Sequence, residues 1–116
     1  MNKSLLVSAA LVLTACSSPN VHEVRSSEPV VYAQSMRAPD DISSCLRSRL
    51  GGLRMHVHDG ETELTIGSAA ENYGWLITLT PTGSGYGTVV KVQKSSDDGD
   101  SVPEPEMRFD IARCTT

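Results

Sequence analysis

Apolar and polar residues recur with two different periods along residues 40–116, and each period predicts a different element. Apolar residues from Ile42 to Leu50 are spaced three and four apart, which places them on one face of a helix. Two aspartates precede this run, and Gly51-Gly52 follows it. Acidic residues favour a helix start and glycine favours a helix end, so the pattern predicts one helix here.

Strict alternation replaces the helical spacing after Gly52. Residues 53–58 and 61–66 alternate apolar with polar, the period of half-buried strands, and Asp59-Gly60 between them is a favoured hairpin turn. Two further segments rich in β-branched and aromatic residues, 75–80 and 86–94, are joined by a glycine-rich turn. The sequence therefore predicts a four-stranded antiparallel meander.

The last segment of the chain fits two elements. Met107, Phe109 and Ile111 alternate as in a strand, whereas Met107, Ile111 and Cys114 have helical spacing. Pro105 between two glutamates suits the first turn of a helix. We predict a short C-terminal helix and keep a strand as the alternative.

These elements predict an α+β domain over 40–116, in which an N-terminal helix packs on the meander and the C-terminal helix or strand closes it. Residues 16–39 contain few apolar side chains and predict a flexible tether, with a docked strand at 30–33 as the alternative. The predicted core consists of Ile42, Leu46, Leu50, Met55, Val57, Leu64, Ile66, Leu76 or Ile77, Leu79, Val90, Val92, Met107 and Ile111.

A short apolar run opens the chain. It begins after Lys3, covers about ten residues and ends in Leu13-Thr14-Ala15-Cys16. A membrane-spanning helix needs about 20 apolar residues, so the run predicts a signal peptide over 1–15. It resembles the signal peptide and lipobox of bacterial lipoproteins. The order of apolar elements over 40–116, with a cysteine in the first helix and another near the C-terminus, resembles that of small proteobacterial outer-membrane lipoproteins that have no assigned activity. The resemblance implies cleavage before Cys16 and acylation of Cys16, with palmitate among its chains.

The same resemblance implies a location. Ser17 stands where an aspartate would signal retention in the inner membrane, so we expect attachment to the inner leaflet of the outer membrane, facing the periplasm. The cell surface and the inner membrane are the alternatives. The formal net charge of −4 argues against a nucleic-acid partner, because nucleic acids bind basic surfaces.

Three cysteines are present, and the lipobox assigns Cys16 to lipid. In an exported chain the remaining two, Cys45 and Cys114, allow one intramolecular disulfide, which we predict. Two free buried thiols, or metal ligation together with His56 and His58, are the alternatives.

No catalytic or cofactor motif is present, and we predict neither an enzyme nor a cofactor. His56 and His58 share one face of a strand and are the candidate metal ligands, but a structural or catalytic metal site needs three or four ligands. We expect the polar face of an amphipathic strand there, and we expect Trp75 to pack in the core or at a strand edge.

Two functions suit a small anchored domain of this kind. The first is a non-enzymatic module that binds another envelope protein or assists an assembly. The alternative is an inhibitor or exclusion factor acting on a lytic enzyme, a phage or a plasmid system, with 83–87 or 95–106 as its exposed loop. The sequence does not predict an oligomeric state.

Overall fold

The computed structural model describes residues 20–69, 72–84, 86–96 and 102–116. Within them the chain forms one antiparallel sheet and three helices, in an α+β arrangement as predicted. In chain order the elements are α1 (Val21–Ser26), β1 (Val31–Ser35), α2 (Pro39–Arg49), β2 (Arg54–His58), β3 (Glu61–Ala69), β4 (Asn72–Pro81), β5 (Thr88–Lys94) and α3 (Glu104–Thr115). The strands lie in the order β1-β5-β4-β3-β2.

The predicted meander corresponds to β2 through β5, which pair with their neighbours in sequence order. Asp59 and Gly60 both have positive φ at the β2–β3 turn, as a two-residue hairpin requires. Helix α2 confirms the helical spacing, although Pro39 and not an aspartate begins it. Helix α3 decides the C-terminal alternative in favour of a helix.

The described part of the predicted tether, residues 20–39, is folded, and β1 agrees with the alternative of a docked strand at 30–33. Strand β1 pairs antiparallel with β5, from Val31 opposite Val92 to Ser35 opposite Thr88, and gives the sheet five strands and not four. Helix α1 precedes β1 and buries Val24 completely. A segment with few apolar residues can fold here because its backbone pairs with β5, and this pairing needs only a few buried side chains.

The main core lies between one face of the sheet, called the inner face, and the two helices α2 and α3. Ile42 and Leu46 of α2 pack with Met107 and Ile111 of α3 over the sheet. The sheet supplies Leu64, Ile66, Trp75, Ile77, Leu79, Val90 and Val92. The Cys45–Cys114 disulfide joins the two helices across a Cα–Cα distance of 5.5 Å, which confirms the predicted pairing.

Helix α1 covers part of the opposite face, called the outer face. Leu76 and Gln93 are cross-strand neighbours on that face. The Gln93 side-chain amide donates to the backbone carbonyls of Arg25 and Ser27, which holds α1 above Leu76. Leu76 is buried there, while Ile77 beside it points into the main core, so both of the predicted alternatives are buried.

Two predicted core residues are exposed. Met55 and Val57 lie on the inner face of β2, opposite Leu64 and Thr62. Their side chains are 49% and 64% exposed. Helix α2 packs over β4 and α3 packs against β1, so the helical layer leaves the inner face of β2 uncovered. The alternating pattern predicts the strand correctly. The prediction that Met55 and Val57 are buried is wrong.

Candidate functional site at the open edge of the sheet

Strand β2 forms one edge of the sheet and is the most exposed element of the fold. It is paired with β3 on one side, and no strand of the described residues pairs with its other side. All five of its residues are exposed on both faces. An unprotected edge strand presents free backbone N–H and C=O groups to solvent, so this edge can accept another strand.

The two faces of β2 differ in chemistry. Met55 and Val57 give the inner face an apolar surface, and Arg54, His56 and His58 give the outer face a polar and cationic surface. A strand added beside β2 would meet apolar side chains on one face and polar ones on the other. The edge thus offers side-chain selectivity in addition to main-chain hydrogen bonds.

A groove of about 580 Å³ lies on the outer face beside β2. Its floor contains Glu63 and Thr65 of β3, both buried, and α1 contributes Arg25 to its wall. The groove is lined by Arg25, Arg54, Met55, His56, His58, Glu63, Thr65 and Tyr73.

An ion pair fixes the wall of this groove. The Arg25 guanidinium donates two hydrogen bonds to the Glu63 carboxylate, one from Nη1 at 3.3 Å and one from Nη2. These hydrogen bonds raise the pKa of Arg25. Charge-assisted bidentate pairs of this kind are among the stronger polar contacts, and this one neutralises a buried carboxylate.

The two candidate metal ligands lie together on the outer face. The rings of His56 and His58 stack with their centroids 6.0 Å apart, and Nε2 of His58 lies 3.2 Å from Oδ2 of Asp59. Among the described residues, no group of three or more histidine, cysteine, aspartate or glutamate side chains is arranged to hold a metal ion. Both histidines lie on the exposed outer face of β2.

The glycine-rich turn between β4 and β5 forms a second exposed feature. Gly87 has a φ of +92° and packs so closely on the end of β1 that a Cβ there would lie 2.4 Å from the Ser35 carbonyl oxygen. This contact places Tyr86, 81% exposed, at the same end of the sheet as Met36, 89% exposed. This end of the sheet therefore presents two large apolar side chains to solvent, Tyr86 from the turn and Met36 from the segment after β1.

The remaining predicted positions are distributed as follows. Cys16 lies outside the described residues, as do residues 97–101 of the acidic segment 95–106. Trp75 is buried, and its indole N–H donates to the Val102 carbonyl at 2.8 Å, which confirms a packing role. No helix in the described part of the chain is long and apolar enough to span a membrane.

None of the protein-family models, curated proteins or solved structures compared with this chain matches it.

The sequence identifies His56 and His58 of this site. It does not indicate that β2 is an exposed edge strand or that α1 forms a wall of the groove. The alternation of β2 looks the same for a half-buried strand and for an exposed edge, so the edge position carried no signal. Arg25 gave none either, because its partner Glu63 is 38 residues away along the chain.

Proposed function

We propose that this chain is a lipid-anchored envelope lipoprotein whose folded domain is a non-enzymatic protein-binding module. The leader and Cys16 support the anchor. One observation carries the binding role: β2 is paired on one side only among the described residues and is exposed along its whole length. Proteins that bind extended segments use such edges for strand addition.

The added segment belongs to another envelope protein and pairs with the backbone of β2. Its side chains alternate between the two faces, so every second one lies beside Met55 and Val57. The others lie over the outer-face groove, near Arg54 and His56. Main-chain hydrogen bonds supply general affinity, and this alternation selects the partner.

The anchor keeps the site close to the bilayer. The Asn20 side chain donates to the Tyr73 carbonyl at 2.6 Å and accepts from the Tyr73 N–H at 2.7 Å, which ties the chain to β4 at that residue. Four residue steps separate Asn20 from Cys16, and a fully extended chain covers about 14 Å in that distance. We therefore expect a partner that presents its segment next to the membrane.

Photo-crosslinking tests the binding role. A photoreactive amino acid replaces Val57 on β2 in one strain and Tyr32 on β1 in the control strain; both positions are exposed, but they lie on opposite edges of the sheet. We expect an adduct with a distinct envelope protein from position 57 alone, and its loss when M55K is added. Equal adducts from both positions, or an adduct that survives M55K, would contradict the proposal.

Fractionation tests the anchor. C16A removes the proposed lipid attachment point, and nothing in the described residues replaces it as a membrane-spanning helix. Dual acylation holds a protein firmly on a bilayer, so its loss moves the protein from the membrane pellet to the soluble fraction. C45S, which keeps Cys16, serves as the control and stays in the pellet. Retention of C16A in the membrane would show that lipid is not the anchor.

The exposed turn between β4 and β5 supports a second candidate function, inhibition of a lytic enzyme. Tyr86 projects from a short turn that Gly87 fixes to the end of β1, so it is held out from the sheet without a long loop. An inhibition assay with purified lysozyme compares the wild type with Y86A and, as control, Y32A. Loss of inhibition in Y86A alone would support this candidate, and absence of inhibition by the wild type would exclude it for lysozyme.

A further inference from the structure

We infer that β2 also pairs with β2 of a second copy of this chain, which joins two five-stranded sheets into one continuous sheet about a two-fold axis. This inference uses the same edge as the proposed function but does not require a different protein as partner. It follows from the register that a two-fold axis imposes on the five exposed residues of β2.

The symmetric register is centred on His56. There His56 faces His56 of the second copy, Met55 faces Val57 of the second copy, and Arg54 faces His58 of the second copy. All five residues of β2 are then paired. A shift by two residues in either direction leaves two of the five outside the pairing, so this register is the most complete one.

The apolar side chains match in this register. Residues directly opposite each other in an antiparallel pair lie on the same face. Met55 and Val57 of one copy therefore meet Val57 and Met55 of the second copy on the shared inner face. These are the two large apolar side chains that α2 and α3 leave exposed in a single copy. In the dimer, the second copy covers Met55 and Val57, which are exposed in a single copy.

The register also brings Arg54 of one copy near a carboxylate of the other. Asp59 lies within 3.2 Å of His58 Nε2, so the His58–Asp59 pair presents a carboxylate at the end of β2. In the symmetric register Arg54 of the second copy faces this pair, and the axis repeats the contact at the other end. Opposite charges across strands stabilise the pairing. At the centre the two His56 side chains meet, with each Glu63 carboxylate behind them held by Arg25.

The other edge of the sheet is less suited to pairing. At the end of β1 the Ser35 hydroxyl donates to the Thr115 carbonyl at 2.6 Å, and the Arg37 guanidinium donates to the Cys114 carbonyl at 2.9 Å. These contacts join that edge to α3. The β2 edge lies at the opposite side of the sheet, where α2 and α3 do not cover it.

Disulfide trapping in intact cells that produce the full chain tests the register. Opposed residues in an antiparallel pair have Cα atoms about 4.5–5.5 Å apart, within the range of a disulfide. H56C places two cysteines opposite each other. H58C is a matched control on the same strand and face, because its two copies are about 13 Å apart in this register. We expect a disulfide-linked dimer from H56C on a non-reducing gel, and none from H58C or the wild type.

A charge exchange gives an independent measurement. In a symmetric dimer, V57K or M55E places a charge opposite an apolar residue on both sides of the two-fold axis. We therefore expect each variant alone to be monomeric. When differently tagged V57K and M55E chains are produced together, one end keeps Met55 against Val57 and the other gains a lysine–glutamate pair. We therefore expect the mixed dimer to be recovered through either tag. Co-purification no greater than that of either variant with itself would overturn the inference.

The outcomes separate this inference from the proposed function. An H56C gel without a dimer, or one matched by H58C, overturns the self-pairing whatever the photo-crosslinks at position 57 find. A second possible result is that H56C forms a dimer and that photo-crosslinking at position 57 gives only an adduct of twice the chain mass. This result supports self-pairing and contradicts binding to a different protein. If H56C forms a dimer and position 57 also gives an adduct with a different protein, self-pairing and the proposed function are both supported. Because both use the β2 edge, this result implies that the partner displaces the second copy.

Discussion

The Arg25 side chain helps to fix α1 to the sheet. It is partly exposed, but its partner Glu63 is buried, and removing the guanidinium leaves that carboxylate without its counter-ion. A buried carboxylate without a charged partner loses free energy through desolvation. The consequence extends to the candidate site, because the same pair forms the wall of the outer-face groove.

R25A is expected to lower the free energy of unfolding by about 1–2 kcal/mol, a value reduced from that of a buried pair because Arg25 itself is partly solvated. Urea denaturation measures the change. R54A is the matched control, since Arg54 lines the same groove but lies exposed on β2, and we expect it to change stability by less than about 0.5 kcal/mol. Equal losses in the two variants would refute the role given to the ion pair.

Glu23 gives the fold a pH dependence. The backbone N–H of Ser96 donates to Oε1 of Glu23 at 3.0 Å and the Ser96 hydroxyl donates to the same atom, and these bonds lower the pKa of Glu23 below 4.5. A depressed pKa in the folded state contributes stability that is present above pH 4.5 and is lost as the pH falls through the lowered value. Thermal unfolding of the wild type and E23Q should therefore differ at pH 7, and the difference should shrink as the pH falls below 4.5. A difference independent of pH would contradict this assignment.

At the scale of elements, the helices and strands whose sequence pattern was clearest form as predicted. Helix α2 has an apolar face, a proline at its start and glycines beyond its end, and the β2–β3 hairpin has an Asp-Gly turn with positive φ at both residues. Strand β1 and helix α1 had no comparable signal. They form because β5 and Gln93 provide hydrogen-bond partners far away along the chain.

Gly87 determines how the β4–β5 turn meets β1. G87A is expected to lower the free energy of unfolding by about 1–3 kcal/mol, because its φ of +92° disfavours a side chain and a Cβ would clash with the Ser35 carbonyl. G83A in the same turn is the control; Gly83 has open space around it, so the substitution should leave stability unchanged or raise it slightly. Urea titrations compare the two variants, and similar losses in both would show that the contact with β1 does not matter.

At the scale of the whole molecule, the disulfide connects the two helices that cover the inner face. Cys45 and Cys114 are 69 residues apart in sequence, so their bond closes almost the entire domain into one loop. The helices also meet through the ion pair of Arg49 with Asp110, at 3.2 Å. Helices α2 and α3 therefore form one connected layer over the sheet. Strand β2 remains exposed because this layer does not extend over it.

C45S/C114S is expected to lower the free energy of unfolding by about 4 kcal/mol, the chain-entropy value for a loop of this length. A small domain has only a few kcal/mol from its core, so we expect a large fall in melting temperature or loss of folding at 37 °C. Calorimetry or circular dichroism measures it, with C16S as the control that removes a cysteine outside the bridge. An unchanged melting temperature would show that the bridge contributes little.

In the described part of residues 40–116, the sequence by itself determined the local structure, and it predicted the pairing of Cys45 with Cys114. Periodicity, turn residues and cysteine number are local or countable properties, and α2, the meander and the disulfide followed from them. The choice between helix and strand at the C-terminus was favoured by Pro105 and its flanking glutamates, and α3 agrees with it.

Only the tertiary structure decided which residues are covered. Met55 and Val57 alternate with polar residues as buried strand residues do, yet they are exposed because β2 is at the edge and the two helices pack elsewhere. Val24 and Arg25 had no sequence signal, yet α1 covers part of the outer face through contacts with β3, β4 and β5. Burial depends on which elements meet across the chain, and alternation along one strand is the same whether a helix covers that strand or solvent does.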